Sequence, residues 1–165
     1  MLHVLLLATS VNAAHGAEPQ VEVADDGAVI ARLKVDAGEQ QVRATIPTLQ
    51  ATGVNSNVLS VSASPDGSCT AYSRTTRGLM RPLELRTRFC PTSTGWREWL
   101  VSSNDFTAYE AEWTIKPSTD GGSQVQLRVK SDVNLMVPES LLRSGTIQGV
   151  RETLDALVRK LVKPR

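Results

Sequence analysis

The sequence predicts an α+β protein in which a curved antiparallel sheet of about six to seven strands wraps around one long C-terminal helix. Three observations lead there. From Val21 to Val133 apolar residues recur mostly at every second position, as in half-buried strands. The runs are short and closed by turn signals, which joins consecutive strands into an antiparallel meander. Beyond Pro138 the spacing changes: Leu142, Ile147, Val150, Leu154, Leu157 and Leu161 follow one another at three- to five-residue intervals, with charges mostly between them. That is an amphipathic helix, ending at Pro164, and it alone can cover one face of the sheet.

In chain order, Val29, Ala31, Leu33 and Val35 alternate with Ile30, Arg32 and Lys34 as a first strand. Asp36-Ala37-Gly38-Glu39 then has the spacing of a capping box. It predicts a short helix stopped by Pro47, with a second short turn over Leu49 to Thr52, so that two short helices follow the first strand. Gly53 to Asn57 reads as loop. Strands follow at Val58–Ala63, Cys69–Thr75, Leu83–Cys90, Trp96–Val101, Phe106–Ile115 and Val125–Val133. Ser64-Pro65-Asp66-Gly67 is the strongest turn among the connections.

Met1 to Ala17 stands apart. An apolar run, Met1 to Ala8, precedes small residues, and the stretch is expected to be a signal peptide cut after Ala13 or Ala17. No Lys or Arg occurs before Arg32, so the usual basic start is absent, and a buried N-terminal strand or helix is the alternative. The run is shorter than the ~20 residues that span a bilayer. Residues 18–165 then form one domain in the periplasm or outside the cell. The 165-residue chain has 41% hydrophobic and 21% charged residues and a net charge of +1, with no basic stripe to suit nucleic acid. His3 and His15 are its only histidines. A mature chain without them has no Ser-His-Asp or Cys-His nucleophile and no His-ligated metal; no cofactor is expected.

Cys69 and Cys90 suggest one disulfide in an exported protein. A hairpin centred near Leu79 and Met80 sets the two cysteines opposite each other, and Thr70, Tyr72 and Arg74 beside Phe89, Thr87 and Leu85 on one face. Ala71 and Ser73, with Arg88 and Arg86, take the solvent face. If the leader reading fails, free thiols are favoured instead.

Three stretches are similar to the START-like, or helix-grip, superfamily of polyketide cyclases, lipid-transfer domains and coenzyme Q-binding proteins. Asp36 to Val42 resembles the opening of its first helix. Asn104 to Ile115 resembles its central strand, with the Asn-Asp-Phe start and a Trp four residues after an aromatic. Val150 to Leu157 resembles its closing helix. The similarity runs from about Val21 to Leu161 and describes fold rather than chemistry. The chain departs from the pattern near Arg43, where an aromatic is usual, and at Pro47-Thr48, where Thr-Asp is usual.

The resemblance implies an internal space between sheet and helix and, as partner, a lipid, quinone or similar hydrophobic small molecule. Inward parity nominates Tyr72, Leu85, Thr87, Trp99, Tyr109, Trp113, Leu127, Val129 and Ser131 as its lining, faced by Ile147, Val150 and Leu154. Taken singly, each fits an ordinary core better than a lining. The apolar loop Gly78-Leu79-Met80 between Arg77 and Arg81 reads as a lid, a tip in transient contact with a membrane, or a plain hairpin connection. Two other functions stay open: a cyclase or dehydratase acting in the same cavity, and a ligand-free interaction module. No catalytic residue is assigned; Glu98, Glu110 and Glu112 are the available carboxylates, and their parity suits a solvated face.

Overall fold

The computed structural model describes residues 18–78 and 81–162. The expected leader, Leu79 and Met80 of the expected lid or tip, and the expected helix end at Pro164 lie outside them. The elements are β1 (Gln20–Val23), β2 (Val29–Val35), α1 (Glu39–Thr52), β3 (Ser56–Ala63), β4 (Thr70–Thr76), β5 (Leu83–Pro91), β6 (Gly95–Ser102), β7 (Phe106–Pro117), β8 (Ser123–Val133) and α2 (Glu139–Val162). All strand pairs are antiparallel, in one 8-stranded sheet ordered β1-β2-β8-β7-β6-β5-β4-β3. The meander from β3 to β8 is closed by β2, which lies against β8, so the first long strand meets the last. The expected fold class holds, with more strands than expected: β1 is added outside β2, where Val21 faces Ala31. Among the described residues no helix is long and apolar enough to cross a membrane.

The two short helices expected after β2 are one continuous helix, α1, with Pro47 inside it. Proline cannot donate to the carbonyl four residues back, which here belongs to Arg43. That carbonyl instead accepts the indole N–H of Trp96 at 3.1 Å. The hydrogen bond that Pro47 removes is replaced from β6, so the helix passes through. The Arg43 side chain fastens the same end, donating to the carbonyls of Thr92 (3.1 Å), Ser93 (3.1 Å) and Gly95 (3.3 Å) in the β5–β6 turn. The capping box does not form. Gly38 is the N-cap and makes no side-chain cap, while Glu39 pairs with Arg43 one turn on, at 3.2 Å. Gly53 closes the helix in the left-handed region (φ 69°), its N–H donating to Leu49 O. Gly95 has a different constraint: a Cβ there would sit 2.0 Å from the carbonyl oxygen of Trp113 on β7.

Both helices pack on one face of the sheet and on each other. The core between them comprises Val29, Ala31 and Leu33 of β2, Val42, Ile46 and Leu49 of α1, Trp113 and Ile115 of β7, Val125 and Leu127 of β8, and Val150, Leu154 and Leu157 of α2. Full burial of a leucine such as Leu154 or Leu157 stabilises by roughly 1.5–3 kcal/mol over leaving it in water. The buried residues of α2, Val150, Leu154 and Leu157, lie from its midpoint onward, and none lies between Glu139 and Gly149. Before Val150 the helix meets the core through the partly buried Ile147.

The β4–β5 hairpin has the expected register. Thr70 faces Phe89, Tyr72 faces Thr87, and Arg74 faces Leu85. Cys69 and Cys90 are bonded, with Cα atoms 4.4 Å apart. At the opposite end of the sheet Arg81 forms a two-pronged pair with the carboxylate of Asp105, which also accepts the Glu84 N–H at 2.7 Å. Asp105 is buried, and the Arg81 hydrogen bonds followed by the Glu84 amide hold its carboxyl below the usual carboxylate range.

Candidate functional site

β4, β5, β6 and β7 bring a charged cluster together on the helix-side face. Alternation along β4 points Tyr72 and Arg74 inward. On β6 the residue directly between Phe89 of β5 and Ala111 of β7 is Glu98, so Glu98 points inward as well. Glu98 is 0% exposed and Arg74 7%. Arg74 Nη2 lies 2.8 Å from Glu98 Oε1, close enough for an ion pair but off the direction of a hydrogen bond. The same Glu98 oxygen accepts the hydroxyl of Thr87 at 2.5 Å. Arg74 Nη1 donates to Gln50 Oε1 of α1 at 2.9 Å, and the guanidinium stands 4.7 Å over the Tyr72 ring.

Removing two charges from water costs several kcal/mol each, and their attraction offsets this only with good geometry and further hydrogen bonds. Here the compensation is incomplete. Arg74 Nε, Arg74 Nη2 and Glu98 Oε2 are buried with no hydrogen-bond partner among the described residues, and so is Trp113 Nε1 on the same face. Donors and a carboxylate acceptor are thus left over side by side. Tyr109 comes inward from β7 opposite Ser131. Burial, and then the nearby Glu98 charge, push its phenol well above its usual range, so it stays protonated at neutral pH and can donate. Ser131 Oγ lies 3.5 Å from Thr146 Oγ1, under the N-terminal half of α2.

Of the residues nominated from sequence, Tyr72, Leu85, Thr87, Tyr109, Trp113, Leu127, Val129 and Ser131 share this inner face. Trp113, Leu127, Val150 and Leu154 are sealed in the core, and Ile147 packs at its margin. Trp99 is a correction: it pairs with Arg88 and Glu110 and lies on the outer face. The run Trp96-Arg97-Glu98-Trp99 does not alternate by polarity, and the inward place belongs to Glu98 because Arg74 neutralises it there. The expectation that Glu98 is solvated fails for the same reason. Glu110 does lie outward, paired with Arg97 at 2.9 Å, and Glu112, opposite Arg97 and Arg128, shares that face. Arg74 and Gln50 were not nominated. The signal for Arg74 was present, since a charge on the apolar face of a hairpin needs a buried partner. Gln50 carried none, because only the docking of α1 brings it near. Among the described residues no group of three or more His, Cys, Asp or Glu side chains is placed to hold a metal ion.

No protein-family model matches the sequence. No curated protein matches it either. Solved structures do resemble it. A START superfamily protein from Mycobacterium smegmatis superposes with a TM-score of 0.63 at 15% identity, over 82% of this chain and 99% of that one. A STAR-related lipid transfer protein from Xanthomonas axonopodis gives 0.62 at 12% identity, over 88% and 99%. The di-domain ARO/CYC BexL gives 0.64 at 11% identity, over 84% of this chain and 50% of BexL, so this chain spans half of that protein. At such identities the likeness establishes the fold. The chain has the START-like, helix-grip fold.

Proposed function

We propose that the protein binds a hydrophobic small molecule bearing a neutral hydroxyl-type head, between the sheet and the N-terminal half of α2. One observation carries the reading: the buried Arg74–Glu98 pair, set in an apolar face with donor and acceptor atoms left over. The pair is already neutral as a unit, so a second anion or cation gains little there. A hydroxyl can accept from Arg74 Nε and donate to Glu98 Oε2, satisfying both at once. The apolar body then lies along Leu85, Tyr109, Val129 and Ile147. Leu135, Met136 and Leu141, all exposed beside the start of α2, offer a greasy approach. The Cys69–Cys90 bond, together with the leader-like first residues, supports a periplasmic or secreted carrier.

The test is affinity across a matched series of long-chain alcohol, acid and amine, with native mass spectrometry of the protein as purified. The alcohol is expected to bind at least about tenfold tighter than the acid, the effect of one well-placed hydrogen bond. Equal affinities, or no bound or co-purifying apolar molecule, sink the reading. Glu98 supports a second one, in which the buried carboxylate takes a proton from a cyclising or dehydrating substrate while Tyr109 donates to its carbonyl. Glu98→Gln separates the two: it abolishes turnover with binding retained in the enzyme, and weakens binding in the carrier.

A further inference from the structure

The two edges of the sheet are built differently. β1 is four residues long and carries Glu22, paired with Arg32. Short charged edges resist pairing with other strands. β3, the other edge, is eight residues, Ser56 to Ala63, with no charge and no proline. Leu59 and Val61 on it are 59% and 53% exposed. Beyond Arg74, which faces Val58 and turns inward to Glu98, its neighbours on β4 are neutral: Ser60 faces Ser73, Val61 faces Tyr72, and Ser62 faces Ala71. A bulge between Val58 and Ser60 interrupts the ladder, and Ser60 to Ala63 beyond it pair regularly with β4. Among the described residues no strand pairs with the open side of that stretch, which presents its backbone donors and acceptors.

We propose that β3 pairs with β3 of a second copy, antiparallel about a two-fold axis through Val61, joining two sheets into one. The axis stands perpendicular to the sheet, so each residue keeps its face. Val61 then meets Val61 of the second copy on the inner face, and Ser60 meets Ser62 on the outer. A second copy fits better than a foreign strand for two reasons. An isologous pairing sets each position against a mate of fixed parity, and β3 bears no charge that would meet itself. The guarded β1 edge also denies the head-to-tail alternative, so the contact closes as a dimer instead of growing as a fibre.

Sedimentation equilibrium of the purified protein from about 1 to 500 µM tests this. The expected result is a monomer–dimer equilibrium. Ser60→Lys/Ser62→Lys sets lysine against lysine twice across the axis, on exposed outward positions that the monomer tolerates. It is expected to raise the dimer dissociation constant about tenfold or more at low salt, partly restored when salt screens the charges. An unchanged melting temperature at low concentration shows that the variant still folds. A monomer at every concentration overturns the proposal and leaves the edge to another partner. A dimer indifferent to the double substitution overturns it too.

Discussion

Two parts of the inner face of the sheet are built on opposite principles. Toward the C-terminus of the helix, Leu154 and Leu157 close on Val42, Ile46, Trp113 and Val125, every one a buried apolar side chain. From Glu139 to Gly149 the helix buries no residue, Ser131 of β8 lies against Thr146, and the same inner face of the sheet carries Arg74, Thr87, Glu98 and Tyr109. One end gains stability from area removed from water. The other accepts the cost of desolvating a charge pair and leaves part of its hydrogen bonding unused. Two ends so unlike divide the labour in the proposed carrier: the first holds the fold, and the second selects what binds.

That division can be broken from either side. The largest effect is expected from splitting the ion pair. Glu98→Leu strands Arg74 without its counter-charge, and urea unfolding should show a loss of about 3–5 kcal/mol. Arg74→Met/Glu98→Leu together should recover most of it while losing the preference for an alcohol head. A single substitution costing under about 1 kcal/mol, the range of an exposed pair, means the pair is solvated. At the packed end Leu154→Ala should cost about 2–5 kcal/mol. It should leave the preference among head groups intact, and a changed preference would show that the ends are coupled. Reducing the disulfide, which joins cysteines 21 residues apart, should cost about 2–4 kcal/mol and leave the two ends equally distinct.

Smaller substitutions sharpen the contrast. Gly145 and Gly149 lie in the unburied half of α2, where an added Cβ meets nothing within 4 Å. Gly145→Ala and Gly149→Ala should therefore stabilise the protein by about 0.5–1 kcal/mol each. In stopped-flow measurements both should slow ligand exchange, since in the proposed carrier that half of the helix covers the ligand. The smallest effect expected is on acid stability. The Asp105 carboxyl is held below its ordinary value of 3.8 by Arg81 and the Glu84 amide. Its contribution is complete above that value and is lost as pH falls through the lower folded-state value. Asp105→Asn should flatten the decline of stability below pH 3.8 seen by circular dichroism, and an unchanged decline would assign it to other carboxylates.

Much of this architecture was legible in the residues alone. Period-two alternation placed the strands, the change of spacing after Pro138 placed α2, and the Cys69–Cys90 hairpin was legible down to its register. These features are local: side-chain parity, turn residues and helical spacing are set within a few positions. The polar end was half legible. Tyr72, Thr87, Tyr109 and Ser131 follow from parity, but Glu98 was read as solvated and Trp99 as inward.

Sequence by itself thus determined an α+β meander closed by an amphipathic helix and the opposition of its two cysteines across a hairpin. Tertiary structure alone decided what that frame encloses. Pro47 stays inside α1 because Trp96, on a distant strand, takes the carbonyl that proline leaves free. Glu98 turns inward because Arg74, 24 positions earlier in the chain, stands across from it. A carboxylate belongs on whichever face supplies its counter-charge, and no spacing rule says where that charge comes to lie once the strands are side by side.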